Sequence, residues 1–497
     1  MNNLYSHVER MVLRDPSREL LVTDSGQSCT WGELHAQTAR YANALAGAGV
    51  RPGDRVAVQA DKSVQSLFVY LACLRAGYVY LPLNTAYQRS ELGYFIGDAQ
   101  PRAVVCRPRS EEEMAAMAAG AAVFTMDEEG AGSMLEAAAS CSTEAAIRAV
   151  DADTLATIIY TSGTTGRSKG AMITHRNLVS NARVLVDCWG FTERDVLLHA
   201  LPIFHVHGLF VANHCALLSG ARMIWHRRFD PALVLRDLPR ASVLMGVPTF
   251  YTRLLAEAAF TRDLCRDVRL FVSGSAPLLA ETFSAFEQRT GKRILERYGM
   301  SEAGMITSNP LDGVRRAGTV GMPLPGNDVR VADDRDLPVG VGEIGAIQIR
   351  GENVFRGYWN MPEKTREEFT ADGWFRTGDV GVLDDDGYLS IVGRAKDLII
   401  TGGYNVYPKE IELVLDALPG VAESAVIGVA HPDFGEAVTA VVVPRNGAVL
   451  AEQDLIAALK RELANYKVPK RVFVVDDLPR NAMGKVQKNV LRERYSA

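Results

Sequence analysis

Short apolar or β-branched runs alternate with helical patterns along the first four-fifths of the chain. Arg55–Gln59 (RVAVQ) and Ala103–Cys106 (AVVC) read as strands, with an apolar helix over Ser63–Ala76 (SVQSLFVYLACLRA) between them. Thr154–Tyr160 and Val268–Ser273 read as further strands, and the alternation predicts an α/β protein with mostly parallel sheets. Residues 111–145 are rich in Ala and Glu with little apolar periodicity, which predicts solvent-exposed helix and loop. After about residue 310 Gly- and Asp-rich turns separate short strands, as in Val341–Gly351; this texture predicts an antiparallel, barrel-like section. A second change follows Gly393-Arg-Ala-Lys-Asp397. Beyond it a helix from Tyr407 to Leu415, with Pro408 suited to the first turn, precedes strands at 424–429 and 437–443, a helix at 452–466 and a strand at 471–475. These make a small α+β unit, so the expected domains are 1–396 and 397–497.

The chain has 497 residues, 47% hydrophobic and 23% charged, enough for a large core and several domains. Disorder and a collagen-like repeat are excluded by that apolar content and by the lack of any fixed period. Lys plus Arg number 54 against 59 Asp plus Glu, and the formal charge of −5 argues against a broad nucleic-acid surface. Seven scattered cysteines without a CxxC suggest neither a disulfide framework nor a zinc site, and point to reduced thiols in the cytosol. The first ten residues hold no apolar stretch of the kind a secretory signal needs. Val196–Ala221 carries no Asp, Glu, Lys or Arg, but its four histidines, Pro202 and Gly208 make it buried interior rather than a membrane span. A soluble cytoplasmic protein is expected.

The densest chemical signal is Thr161-Ser-Gly-Thr-Thr-Gly-Arg-Ser-Lys-Gly170, directly after a strand. Three glycines admit an anion close to the backbone, and five hydroxyls with Arg167 and Lys169 supply donors to phosphate oxygens. A P-loop fails on spacing, because Gly-Lys is nowhere followed by Ser or Thr.

This loop resembles the phosphate loop of the adenylate-forming superfamily of acyl-CoA synthetases, luciferases and peptide-synthetase adenylation domains. The resemblance continues in order. Tyr298-Gly-Met-Ser-Glu302 is similar to the adenine and metal motif, Thr377-Gly-Asp379 to the ribose motif, Gly393–Asp397 to the hinge, and Pro479–Lys485 to the mobile lysine loop. It implies ATP contacts from Thr161, Ser162, Gly163, Thr164, Thr165, Gly166 and Lys169. Further contacts are implied from Ser273, Gly274, Ser275, Glu296, Arg297, Tyr298 and Gly299, with Asp379 and Arg394 on the ribose side. Ser301 stands where the family usually has Thr, Glu302 is the implied Mg²⁺ carboxylate, and Lys485 the implied adenylation lysine. Asp397 is the implied hinge about which later residues rotate between half-reactions, bringing Gly402, Gly403 and Tyr404 to the pantetheine arm of coenzyme A.

The chemistry so implied makes a carboxylate reactive: it attacks the α-phosphorus of ATP, pyrophosphate leaves, and a thiol then displaces AMP. Anion meets anion in the first step, which explains the demand for cations. Twelve residues follow Lys485, so free coenzyme A is favoured over a fused carrier. Phe204-His-Val-His-Gly lacks the Asp by which amino-acid-activating relatives hold an amino group. Within the superfamily the malonyl-CoA synthetases are the nearest resemblance, carried by Leu81–Tyr87, Met245–Arg253, Ser273–Pro277 and Gly403–Glu410. A dicarboxylate needs a partner for its remote charge. Arg253 can grip it bidentately, with His207 and Ser275 as neighbours; the alternative is an Arg253–Glu257 pair at i+4. Malonate is thus the expected acid, with methylmalonate also accepted. A ligase for another short, fatty or aromatic acid, and a catalytically silent nucleotide-binding protein, are the other readings.

Overall fold

The computed structural model describes residues 2–161, 168–401, 404–432, 434–445, 447–481 and 484–496, with only the backbone of Asn405. The implied ligands Ser162, Gly163, Thr164, Thr165, Gly166, Gly402 and Gly403, and also Arg167, lie outside these residues. Two compact units form: residues 1–328 with 350–375, and residues 329–349 with 376–497. The division falls before the ribose motif, so Asp379, Arg394 and Asp397 all belong to the second unit.

The first unit is α/β, as the alternation predicts, and holds two large sheets. In the six-stranded sheet the strands Arg55–Gln59, Val79–Pro82, Ala103–Cys106, Ala122–Thr125 and Leu155–Thr161 run parallel, and Lys169–Thr174 closes the edge antiparallel to Leu155–Thr161. The helix between the first two of these strands spans Val64–Ala76, nearly as expected. Ser63 caps it through a reciprocal Ser63–Ser66 box, and Gly77 ends it at φ 74°, a left-handed position that glycine adopts without strain. The nine-stranded sheet has a parallel centre that includes Val196–His199, Val243–Gly246, Leu270–Ser273 and Ile294–Met300. Ile294–Met300 then turns back antiparallel on Gly304–Ser308.

Residues 111–145 depart from expectation. They hold two short helices, Glu111–Met117 and Ser133–Ala139, but also the strand Ala122–Thr125, paired parallel to Ala103–Cys106. Met114, Met126 and Met134 are buried. Four strand residues are too few for a period, and single methionines anchor the helices without an apolar stripe. The charge-free stretch from Val196 to Ala221 is interior, as expected, and among the described residues no helix is long and apolar enough to cross a membrane.

The turn-rich region forms a four-stranded sheet ending in Phe375–Leu383 and Leu389–Arg394, an antiparallel pair. Beyond it, Val421–His431 and Gly435–Pro444 form a long antiparallel ribbon joined by Arg471–Val474. The helices Pro408–Asp416 and Glu452–Glu462 cover the ribbon's apolar face; Ile411, Leu415, Leu455 and Leu459 pack on Val426, Val438 and Val442. A terminal helix, Lys488–Tyr495, was not signalled by the apolar pattern and buries only Leu491.

Candidate active site

In the first unit the chemistry-bearing residues sit where parallel strands end. Strand Leu270–Ser273 delivers Ser273, which is buried, and the chain then passes Gly274 to Ser275. Ser275 takes φ 73° although it is not glycine, local strain of the kind that collects at functional sites. Its Oγ lies 3.3 Å from His207 Nδ1. His207 opens a π-helix, His207–Ala212, and Gly208 is required there: a Cβ would stand 2.1 Å from the Pro202 carbonyl oxygen. Burial, and then the charge of Arg297, hold the His207 ring far below the usual histidine range, so it is neutral. Its Nε2 is buried without a partner.

Arg297 is the centre of this group. It projects from strand Ile294–Met300 and is 3% exposed, with Nε and Nη2 unbonded. The guanidinium lies over Gly274, where a Cβ would come within 2.4 Å of it. Burial pulls its pKa down to about 9, with Tyr251 and Glu296 opposing weakly. Glu296 and Tyr298 alternate with Arg297 along the strand; Glu296 Oε1 accepts from the Leu278 amide at 3.1 Å. Gly299 lets the returning strand approach, since a Cβ there would be 2.2 Å from the Gly304 carbonyl oxygen. Ser301 and Glu302 occupy that turn. Glu302 is 6% exposed and accepts from Tyr358 Oη at 3.1 Å.

Thr161 and Lys169 are paired across the antiparallel strands Leu155–Thr161 and Lys169–Thr174. Lys169 Nζ is 3.2 Å from Glu368 Oε1 and 4.3 Å from the centre of the Tyr358 ring. Arg253 stands exposed in the last turn of Pro248–Ala256, and the alternative pair with Glu257 is not formed. Tyr358 and Glu368 were not foreseen. Pro362 at a helix start marks their segment, but nothing in the pattern says that it reaches Glu302.

The second unit carries its own group. Asp379 and Arg394 are cross-strand neighbours, with Arg394 Nε 3.0 Å from Asp379 Oδ1. Asp397 pairs with Arg492 at 2.6 Å. Lys485 is exposed; its amide donates to Asn481 Oδ1, and Arg480 spans from the Gly484 carbonyl to Glu423. Tyr404, largely exposed, stacks on Tyr466 at 4.6 Å. Among the described residues no group of three or more His, Cys, Asp or Glu could cage a metal. Magnesium commonly takes one or two carboxylates plus phosphate oxygens and water, and a single buried Glu302 fits that habit.

Known proteins resemble this chain along almost its whole length. Residues 8–359 match the model of the AMP-binding enzymes, and residues 410–485 that of the AMP-binding enzyme C-terminal domain. A feruloyl-CoA synthase of Amycolatopsis sp is 39% identical over 479 residues, 95% of each chain. A malonate–CoA ligase of Arabidopsis thaliana is 37% identical over 90% of this chain and 79% of its own. ATP-bound MatB from Rhodopseudomonas palustris superposes with a TM-score of 0.98 at 54% identity, covering 100% of this chain and 99% of that one.

Proposed function

The chain belongs to the AMP-binding enzyme family, and we propose that it is an AMP-forming acid–CoA ligase making malonyl-CoA from malonate, coenzyme A and ATP. One malonate oxygen attacks the α-phosphorus, the bond to pyrophosphate breaks, and the coenzyme A sulfur then attacks the acyl carbon to release AMP. Lys169 and the loop before it meet the phosphates; Tyr298 offers a face to adenine; Asp379, steered by Arg394, accepts from the ribose hydroxyls. Glu302 is the carboxylate for Mg²⁺, which offsets triphosphate charge when bound. Lys485 neutralises charge developing between acid and α-phosphate, Asp397 is the hinge, and residues 402–404 flank the pantetheine arm. All seven cysteines are free, which supports a reducing, cytoplasmic setting.

The observation that carries the choice of acid is Arg297. A buried guanidinium with unbonded Nε and Nη2 is costly until an anion arrives. In the tautomer where Ser275 Oγ donates to His207 Nδ1, the imidazole proton sits on Nε2, which is buried without a partner and is then a second donor for an anion. Two buried donors suit a remote carboxylate. This makes Arg297, expected from sequence to touch ATP, the partner of the second malonate charge, with the exposed Arg253 in a lesser role. The resemblance to ATP-bound MatB and to a plant malonate–CoA ligase supports the same acid. The competing reading, an aromatic acid such as ferulate, draws on the feruloyl-CoA synthase relative.

Pyrophosphate release over a panel of acids, with and without coenzyme A, separates them. Malonate and methylmalonate lead and acetate and ferulate lag; ferulate ahead of malonate would remove the proposal. Arg297→Met should lower kcat/KM for malonate by about 10²- to 10³-fold, the cost of a lost buried charge partner, with the KM for ATP nearly unchanged.

A further inference from the structure

Tyr358 touches both Glu302 and Lys169, 56 and 189 positions away in the chain, and the surrounding structure holds it from several sides. Its amide donates to Thr365 Oγ1 at 2.9 Å, and its ring meets Phe355 edge-on at 4.8 Å. The residues around it zip onto the strand that leaves the phosphate loop: Met172 N donates to Gly357 O, Arg356 N to Met172 O, and Trp359 N to Gly170 O. The same segment grips the main chain of Glu302, whose carbonyl accepts from Phe355 N at 2.7 Å. Gly357 permits the bend, with φ 136° and Thr365 Cγ2 2.6 Å from where a Cβ would stand.

The chemistry at the two ends of this side chain is opposed. The phenol hydroxyl donates to a carboxylate oxygen, and the negative face of the ring attracts the Lys169 ammonium. Remove the ring, and a buried carboxylate and a neighbouring ammonium are free to pair directly, which would take Glu302 from a metal and Lys169 from phosphate. Lys169 has a second anchor in Glu368, whose Oε1 lies 3.2 Å from its Nζ.

We infer that Tyr358 is a positioning residue for nucleotide activation: its hydroxyl orients Glu302 toward the metal, and its ring keeps Lys169 apart from Glu302 until the triphosphate arrives. The inference rests on the reading of Glu302 as the metal carboxylate, and the experiment separates the two. Mn²⁺ binding at saturating ATP, without acid or coenzyme A, is followed by electron paramagnetic resonance, with urea unfolding of each variant as a check on folding. Glu302→Gln abolishes tight Mn²⁺ binding if the reading is right; unchanged binding removes both the reading and the inference. Tyr358→Phe keeps the ring and weakens Mn²⁺ by about 10- to 100-fold, the usual effect of losing a partner that orients a metal ligand, while the urea midpoint and the KM for coenzyme A stay put. Unaltered Mn²⁺ affinity in Tyr358→Phe, with Glu302→Gln inactive in binding, overturns the positioning role alone. Tyr358→Leu weakens Mn²⁺ further than Tyr358→Phe, and the loss it causes is smaller in a Lys169→Met background, where no competing cation remains; an equal loss in both backgrounds overturns the spacer role. Should Tyr358→Phe fail to fold, Tyr358→His, which retains a donor, is expected to bind Mn²⁺ more tightly than Tyr358→Leu, and equal affinities count against the hydroxyl's part.

Discussion

Arg297 and Asp416 are both ionisable groups taken from water, with different consequences. Arg297 has no compensating bond on Nε or Nη2, and under the proposed function it trades stability of the free enzyme for affinity toward an anion. Arg297→Met should therefore raise the stability of the unliganded protein by about 0.5–2 kcal/mol, while malonate ceases to raise its melting temperature. Differential scanning fluorimetry with and without malonate checks both halves. Asp416 accepts from Ser424 Oγ at 2.7 Å, yet burial, aided by Glu412 and Glu423, pushes its pKa from 3.8 up to about 6. The folded state thus holds the proton more tightly than the unfolded chain. That contribution is complete below about pH 4 and is lost as pH rises through about 6. Asp416→Asn keeps the acceptor for Ser424 and removes the charge. It should flatten the fall in stability between pH 4 and 6 and add about 1–3 kcal/mol at pH 7, an upper range for a two-unit shift, read by urea denaturation across pH.

Elements place these groups by small backbone decisions. The π-helix His207–Ala212 exists because Gly208 can pass against the Pro202 carbonyl, and that register aims His207 at Ser275 and Arg297. Gly208→Ala should cost about 1–3 kcal/mol through overpacking, and should raise the KM for malonate far more than the KM for ATP in steady-state assays. By contrast, Ser63 caps the helix Val64–Ala76 with no tie to the chemistry. Ser63→Ala is expected to cost about 1 kcal/mol with kcat and both KM values intact. This helix was readable from its apolar run in advance. The strand Ala122–Thr125 was not, because four residues paired to a distant neighbour carry no periodic signature of their own.

The residues that the proposed function assigns to the reaction fall in both units: Lys169, Arg297 and Glu302 belong to the first, Asp379, Arg394 and Lys485 to the second. A lysine that acts only while the phosphoanhydride is broken should matter to one half-reaction alone. Lys485→Ala is expected to slow adenylation by about 10²- to 10³-fold and to leave thioester formation from preformed malonyl-adenylate within about threefold, measured by single-turnover kinetics. Equal losses would remove Lys485 from its role. Asp397→Pro fixes φ and breaks the pair with Arg492, so it should impair one half-reaction and spare the other.

Reading the chain alone identifies the α/β class and the change of texture after residue 310, and it marks the glycine-rich stretch 161–170 and the motifs around Glu302, Asp379 and Lys485 as expected sites. Such features are local: a strand, a turn or a glycine-rich loop is specified by neighbours within a few residues. The pairing of Asp379 with Arg394, the burial of Arg297 over Gly274, and the reach of Tyr358 to Glu302 are of another kind. They join residues 15 to 56 positions apart, and burial decides their chemistry. Exposed Arg253 and buried Arg297 are the same residue type, and packing alone leaves one in water and takes the other out of it, the difference on which the role proposed for Arg297 rests.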